Sequence, residues 1–289
     1  MIVSPKRAVR EEILAKLRAQ VEQGIPIIGG GAGVGISAKC EELGGIDLII
    51  TYNSGRFRMD GRPSISGLMP FGSANDIVKE LAAQVMPVAT KTPVLAGVFA
   101  QDNYRFMDVF LQELIDLGFA GIQNFPSFAD FAGSQRVELE QVGYGVENEV
   151  EMMRLAHQMN MLTAPYVFSE EQCEAMVEAG ADIIVVHCGC TKGGSTGITT
   201  DIAYGLKEAA EYAEKIAKRA LELNPEVFVL CHGGPIAEPE DVKYILENTQ
   251  HIHGFFGASS MERLPAERAI TQQVRNFKAL RLNTEKGEK

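Results

Sequence analysis

Basic residues are the scarce class in this sequence: 27 Lys and Arg stand against 38 Asp and Glu, a net charge of −11. A surface of that sign repels phosphate backbones and anionic lipid, and no clustered basic stripe offsets it, so no nucleic-acid partner is expected. Long apolar runs are lacking as well. None approaches the roughly 18–20 residues that cross a bilayer, so no membrane partner is expected, and the opening MIVSPKRAVREEILAK is too charged for the apolar stretch of a secretion signal. A cytoplasmic setting is the expectation. Cysteine is sparse, five residues at irregular spacing, which fits free thiols rather than a disulfide framework. Linker-like Gly/Ser/Pro stretches are missing, and so is low complexity apart from a polar tail over residues 283–289.

What is present is a globular composition: 46% hydrophobic and 22% charged residues can bury a sizeable core. Eight short apolar runs recur, starting at Ile25, Ile46, Val94, Phe119, Met161, Asp182, Glu226 and Ile252. Most are continuous rather than alternating, the pattern of parallel strands covered on both faces. The segments between them have helical period. Over Tyr104 to Leu117 one face is expected to bury Phe106, Val109, Phe110 and Leu114; Ser169 with Gln172 forms a capping-box pattern, and Pro239 and Pro265 sit where first-turn prolines are tolerated. Strand then helix, eight times, predicts an α/β fold: one (β/α)8 TIM barrel over residues 1–289, with residues 1–23 as an extra N-terminal helix starting near Pro5.

Successive run starts are separated by 21, 48, 25, 42, 21, 44 and 26 residues. Long loops are therefore expected after strands 2, 4 and 6, on the C-terminal rim where barrel enzymes keep their chemistry. Thr51 to Asn75 and Phe125 to Gly145 read as lids, as contacts in a homo-oligomer, or as plain cover for the rim.

The strand ends are where function is read. CHGGPI (231–236) and GASSMERLP (257–265) could aim backbone N–H groups at a phosphate, with Gly233, Gly234 and Gly257 allowing close approach and Ser259 adding a hydroxyl; two tight turns are the alternative. The run GGGAGVG, with Gly30 and Gly31, matches neither the dinucleotide fingerprint nor a P-loop, and would let a substrate or the first helix sit close. Arg56 and Arg58 could fork a substrate carboxylate, with Asn53, Asn124 and Tyr166 as further polar contacts. Asp102, His187 and His232 are the candidate proton-transfer groups. His187, Cys188, Cys190, Cys231 and His232 could alternatively form a zinc site. In the loop 190–197, Lys192 could meet an anion on closure, while His251 and His253 should face the barrel bottom. No lysine lies within the strand ends, which disfavours Schiff-base chemistry.

The strings IPIIGGGAGVGISAKCEE, DLIITYNSGRFRMDGRPSISGLMPFGSAN and GVFAQD, with the later HCG and HGGP, resemble the phosphoenolpyruvate hydrolase-like TIM-barrel family, also called TIM-barrel signal transduction proteins, over about residues 24–270. The resemblance implies an enzyme acting on a small phosphorylated or carboxylated acid, by P–O hydrolysis or by phosphonomutase-like C–O or C–C chemistry. The signal-transduction label implies instead a ligand-sensing or protein-binding barrel without turnover. The family is distantly similar to the phosphoenolpyruvate mutase and isocitrate lyase group, which holds magnesium on acidic residues at neighbouring strand ends. That similarity makes Mg2+ the candidate cofactor and Asp102 its candidate ligand, although Gln123 and Asn124 stand where that group presents an acid.

Overall fold

Every one of the eight apolar runs forms strand. The computed structural model describes residues 9–198 and 205–282. Strands β1 (Ile27–Gly31), β2 (Leu48–Thr51), β3 (Val94–Gly97), β4 (Gly121–Gln123), β5 (Leu162–Thr163), β6 (Tyr166–Val167), β7 (Ile183–His187), β8 (Phe228–His232) and β9 (Gly254–Phe256) form one parallel sheet in the order β5-β4-β3-β2-β1-β9-β8-β7-β6. The ninth segment arises because the fifth run is split at Pro165, which has no N–H to give a ladder. The split run still bonds on both sides. Ala164 donates to the Ile122 carbonyl at 3.0 Å and Val185 donates to the Pro165 carbonyl at 2.9 Å, which closes the curled sheet on itself.

The helices are α1 (Arg10–Glu22), α2 (Gly35–Leu43), α3 (Asn53–Met59), α4 (Ala74–Val85), α5 (Met107–Asp116), α6 (Gly133–Gln141), α7 (Val146–Gln158), α8 (Glu170–Glu178), α9 (Leu206–Leu223), α10 (Pro239–Glu247) and α11 (Arg263–Lys278). Leu48, Ile49 and Ile50 are all fully buried, as a strand covered on both faces requires. Helix α9 approaches the sheet through a stripe of small residues, Ala209, Ala213, Ala217 and Ala220, with Ile216. Ser169 caps α8 by accepting from the Gln172 N–H, while the Gln172 side chain accepts from the Phe168 N–H rather than from Ser169. Among the described residues no helix is long and apolar enough to cross a membrane.

Helix α1 crosses the bottom of the barrel. Arg10 pairs with Asp182 just before β7, Arg18 with Glu226 just before β8, and Gln20 with Asp47 just before β2. That leaves the C-terminal strand ends as the working side. Residues 5–8 of the expected leading helix and the tail 283–289 lie outside the described residues.

Three local expectations need correction. Helix α5 begins at Met107, so its core stripe is Phe110, Leu111 and Leu114; Phe106 is the N-cap and is 82% exposed, and Val109 is half-exposed. The stretch after β2 is not a loop but α3, a 3-10 turn over Ser64–Leu68, and α4. The stretch after β4 contains a 3-10 turn over Phe128–Asp130 and α6, which buries no side chain. After β7, residues 199–204 of the long connection lie outside the described residues.

One glycine is needed to place the site. A Cβ on Gly97 would lie 2.4 Å from the Tyr52 Cβ, so the bare backbone of β3 lets Tyr52 lie across the barrel mouth.

Candidate functional site

At the C-terminal strand ends a small, partly open cavity of about 60 Å3 gathers Tyr52, Arg58, Tyr166, His187, His232 and Ser259. The turn Ser64–Leu68 roofs it, tied down by a 3.0 Å hydrogen bond between the hydroxyls of Ser64 and Ser259. The rings pack as a cluster: Tyr166 lies 4.8 Å from His232 and 5.0 Å from His187, the two imidazoles are 4.8 Å apart, and Phe168 stacks on His187 at 4.6 Å.

The backbone assigns the two histidines opposite tautomers. His232 Nδ1 lies 2.6 Å from the Phe256 carbonyl oxygen, which can only accept, so Nδ1 carries the proton and Nε2 keeps its lone pair. His187 Nδ1 accepts from the Gly189 N–H at 3.1 Å, so its proton sits on Nε2. One imidazole is an acceptor and the other a donor. Burial holds both neutral: the His232 ring is pushed down to about 4, with the Phe256 carbonyl opposing that shift, and His187 is held well below its ordinary value by burial and then by His232. Burial likewise raises Tyr52 and Tyr166, which stay phenols and hydrogen-bond donors.

Beneath them lies a buried ion pair. Arg58, with a side chain 1% exposed, donates from Nε and Nη2 to Glu262 Oε1 at 2.9 and 2.6 Å, and from Nη1 to Ser54 Oγ at 3.1 Å. Glu262 Oε2 accepts the Gly33 N–H at 2.7 Å. Burial works against the Arg58 charge, and the neighbouring carboxylate outweighs it. The expected fork for a substrate carboxylate is therefore already filled by a carboxylate of the chain itself.

The other expected residues divide by where their side chains point. Arg56, two positions before Arg58 on α3, turns outward to Glu80 at 2.7 Å and does not reach the cavity. Asp102 lines a separate cavity of about 400 Å3 with Asn53, whose amide donates to the Gly67 carbonyl at 2.8 Å. The Asp102 carboxylate accepts from Arg105 Nε at 2.6 Å, Asn75 Nδ2 at 3.0 Å and the Tyr104 N–H at 3.2 Å, so it is not brought to the histidines. Asn124 accepts from the Tyr166 N–H at 2.7 Å and donates to Glu149, replacing the ladder bond after Pro165 and bracing Tyr166 rather than a ligand. Gly30 faces outward toward Ile46 and Glu41, whereas Gly31 faces Arg58 and Tyr52.

The phosphate cradle is also corrected. Gly233 and Gly234 take φ of 74° and 57°, and a Cβ on either would lie 2.2 Å from a carbonyl oxygen of Gly189 or Cys188. The Gly234 N–H donates to the Gly189 carbonyl at 2.7 Å and the Gly257 N–H to the Gly29 carbonyl at 2.8 Å. These glycines dock turns against neighbouring backbone. Lys192 lines a different cavity, with Arg268, Glu238 and Asp241.

The zinc alternative fails on its donors. Among the described residues no group of three or more His, Cys, Asp or Glu is placed to share a metal. Burial pushes the Cys188 thiol up to about 12 and holds Cys231 well above its ordinary value, whereas zinc requires thiolates. All five cysteines are unpaired. At the barrel bottom His251 pairs with Glu214 at 2.6 Å and His253 Nδ1 accepts the Val229 N–H at 3.0 Å, both stabilising contacts.

Glu41 extends the buried charge toward the outer face. It lines a groove of about 530 Å3 between α2 and the start of α11, and neither of its carboxyl oxygens has a hydrogen-bond partner. Burial, then the charge of Glu262, pushes it up to about 8 from an ordinary 4.5. Between those values the folded chain holds a proton that the unfolded chain releases, so this group makes stability fall as pH rises from 4.5 to about 8. Glu41→Gln removes that dependence. Its stability relative to the parent chain should climb by up to about 1.4 kcal/mol per pH unit across this window, read from urea unfolding at pH 5.5 and 7.5. A difference that does not change with pH would mean Glu41 is charged in the folded state.

Comparison with known proteins supplies the lineage. The phosphoenolpyruvate hydrolase-like family matches residues 12–280. The chain belongs to that family. The ToMV susceptible protein tm-1(GCR26) of Solanum lycopersicum is 53% identical over 268 residues, covering 93% of this chain and 35% of that protein. The chain thus spans about a third of that relative's length. Among solved structures, 2,3-dimethylmalate lyase, a PEP mutase/isocitrate lyase superfamily member, aligns over 97% of this chain and 92% of its own at 11% identity with a TM-score of 0.57. Phosphonopyruvate hydrolase in complex with oxalate and Mg2+ aligns over 93% and 89% at 14% identity with a TM-score of 0.59. At such identities the likeness is one of fold.

Sequence reasoning missed Glu262 and Ser64 and gave Tyr52 no role. Tyr52 directly follows an apolar strand run, which was the available signal. Glu262 sits in GASSMERLP, and nothing local reveals a partner 204 residues away.

Proposed function

We propose that this barrel is an enzyme of lyase or hydrolase type that cleaves a C–C or C–O bond in a small carboxylic acid, with His232 as the proton-transfer group and His187 as a neutral hydrogen-bond donor. The observation that carries this reading is the pair of opposite tautomers in one cavity. His232 Nε2 takes a proton from a substrate hydroxyl or an attacking water and returns it to the departing group, while the neutral His187 Nε2–H gives a hydrogen bond to the negative charge that develops. Tyr52, Tyr166 and Ser259 hold the substrate oxygens, and Arg58 acts on them through its field and by positioning Tyr52, its guanidinium lying 5.2 Å from that ring. A phosphoenolpyruvate-directed version of this chemistry has less support, because the expected glycine cradle is engaged with backbone. The test is product formation followed by NMR over a panel of 2-oxo and 2-hydroxy acids, compared with His232→Gln. In the cell the five unpaired thiols suit a reducing, cytoplasmic setting.

A second reading is a binding module without turnover, and under either reading one apolar surface is left to be covered. Helix α11 buries only Arg263 and Leu264 and leaves Ile270, Val274 and Phe277 exposed along one stripe. A stripe at i, i+4 and i+7 is a docking face. We assign it to a second copy of the chain, making a homo-oligomer, which is compatible with either reading. Sedimentation should show a dimer or larger, and Val274→Glu with Phe277→Glu should dissociate it; a monomeric parent chain would sink the assignment.

A further inference from the structure

We infer that the histidine cavity takes a small acid with a single negative charge and no phosphate group, and holds it without a divalent cation. This rests on the proposed function and narrows its substrate class.

The first observation is the charge inventory. Arg58 is the cation that lines the cavity, its charge is cancelled by Glu262 at 2.6 Å, and Asp130, an acid that burial pushes up to about 6, lines the same cavity. The neighbouring cations are engaged elsewhere: Arg56 with Glu80, Arg105 with Asp76 and Asp102, Arg263 with Glu267. A phosphate dianion entering here would lose its hydration and meet no uncompensated positive charge, a cost that burial makes severe. A single carboxylate asks for less. Ser64 and Ser259 share one hydrogen bond and Tyr52 and Tyr166 another, which leaves each pair one O–H to give, and His187 Nε2–H adds a third neutral donor.

The donor set then bears on the metal that the fold family implies. Asp102 is the carboxylate at the expected strand end, but the Ser64–Leu68 turn lies between its cavity and the histidines, Leu68 lining both. A guanidinium stands 2.6 Å from its oxygen, where a cation would have to displace it. Gln123 offers one bare amide oxygen, a neutral ligand, and Asn124 is engaged at both ends. Among the described residues Asp130 is the one carboxylate that lines the histidine cavity beside the Arg58 pair, and no group of three or more His, Cys, Asp or Glu is placed to share a metal. These residues therefore do not fit a Mg2+ site, which draws on carboxylates together with substrate oxygens.

The test is calorimetric titration of the full chain with pyruvate, glyoxylate, oxalate and phosphoenolpyruvate, each in EDTA and again with Mg2+. Pyruvate or glyoxylate should bind with affinities that agree within about twofold in the two buffers, and phosphoenolpyruvate should not bind. Asp102→Asn should leave that binding unchanged. Oxalate or phosphoenolpyruvate binding that needs Mg2+, phosphoenolpyruvate binding in EDTA, or lost monocarboxylate binding in a folded Asp102→Asn chain would overturn the inference while leaving a small-acid enzyme standing. Silence from all four acids in both buffers would overturn the proposed function and this inference together.

Discussion

Replacing Arg58 by methionine is expected to cost about 3–5 kcal/mol of stability, because it strands a buried carboxylate. The Glu262 side chain is 0% exposed. Without Arg58 it would keep the Gly33 N–H and lose the two guanidinium contacts at 2.9 and 2.6 Å. Glu41, whose carboxyl is already raised partly by the charge of Glu262, would then share a dry region with a second unpaired acid. Methionine fills much of the volume, so the loss reads the charge rather than a cavity. Adding Glu262→Gln should recover most of the deficit, since the amide oxygen still accepts from Gly33 and no charge remains buried. Urea unfolding of the two single variants and the double variant gives the coupling directly. Additive effects would show that the two side chains do not act as a pair.

His232→Gln should lower turnover of any substrate found by about 10²-fold or more while the melting curve changes little. Glutamine can still donate to the Phe256 carbonyl through its amide, so the buried acceptor keeps a partner; what disappears is the lone pair of Nε2. The pH profile separates this role from a structural one. His232 is needed unprotonated and is held down to about 4, so the limb it controls should stay flat from neutral pH down toward that value and then fall. In the variant that limb should be gone. A variant with unchanged turnover would remove His232 from the mechanism; a parent chain with no turnover on any acid would leave the binding-module reading in its place.

How far the chain could be read without its fold is shown by two neighbours in the sequence. Arg56 and Arg58 look equivalent because SGRFRM, after the second strand, reads as a loop. It folds instead as α3, where two positions are about 200° apart around the axis, so one arginine reaches solvent and Glu80 while the other enters the barrel mouth. Helix α5 erred in the same way. A start at Met107 rather than Tyr104 moved the buried stripe onto Leu111 and left Phe106 in solvent.

The local pattern did determine much. Continuous apolar runs specify parallel strands because both faces must be covered; eight of them separated by helical period specify a closed sheet with helices outside. The strand ends then name His187, His232, Tyr166 and Ser259 as residues on the working rim. Tertiary structure alone decided what those residues are to one another. Partners such as Glu262 for Arg58, the Gly189 N–H for His187 and the Phe256 carbonyl for His232 are set by strand register and by turns that meet only when the sheet closes. A tautomer or a buried charge is fixed by its nearest hydrogen-bonding group, and that group is often far away in the sequence.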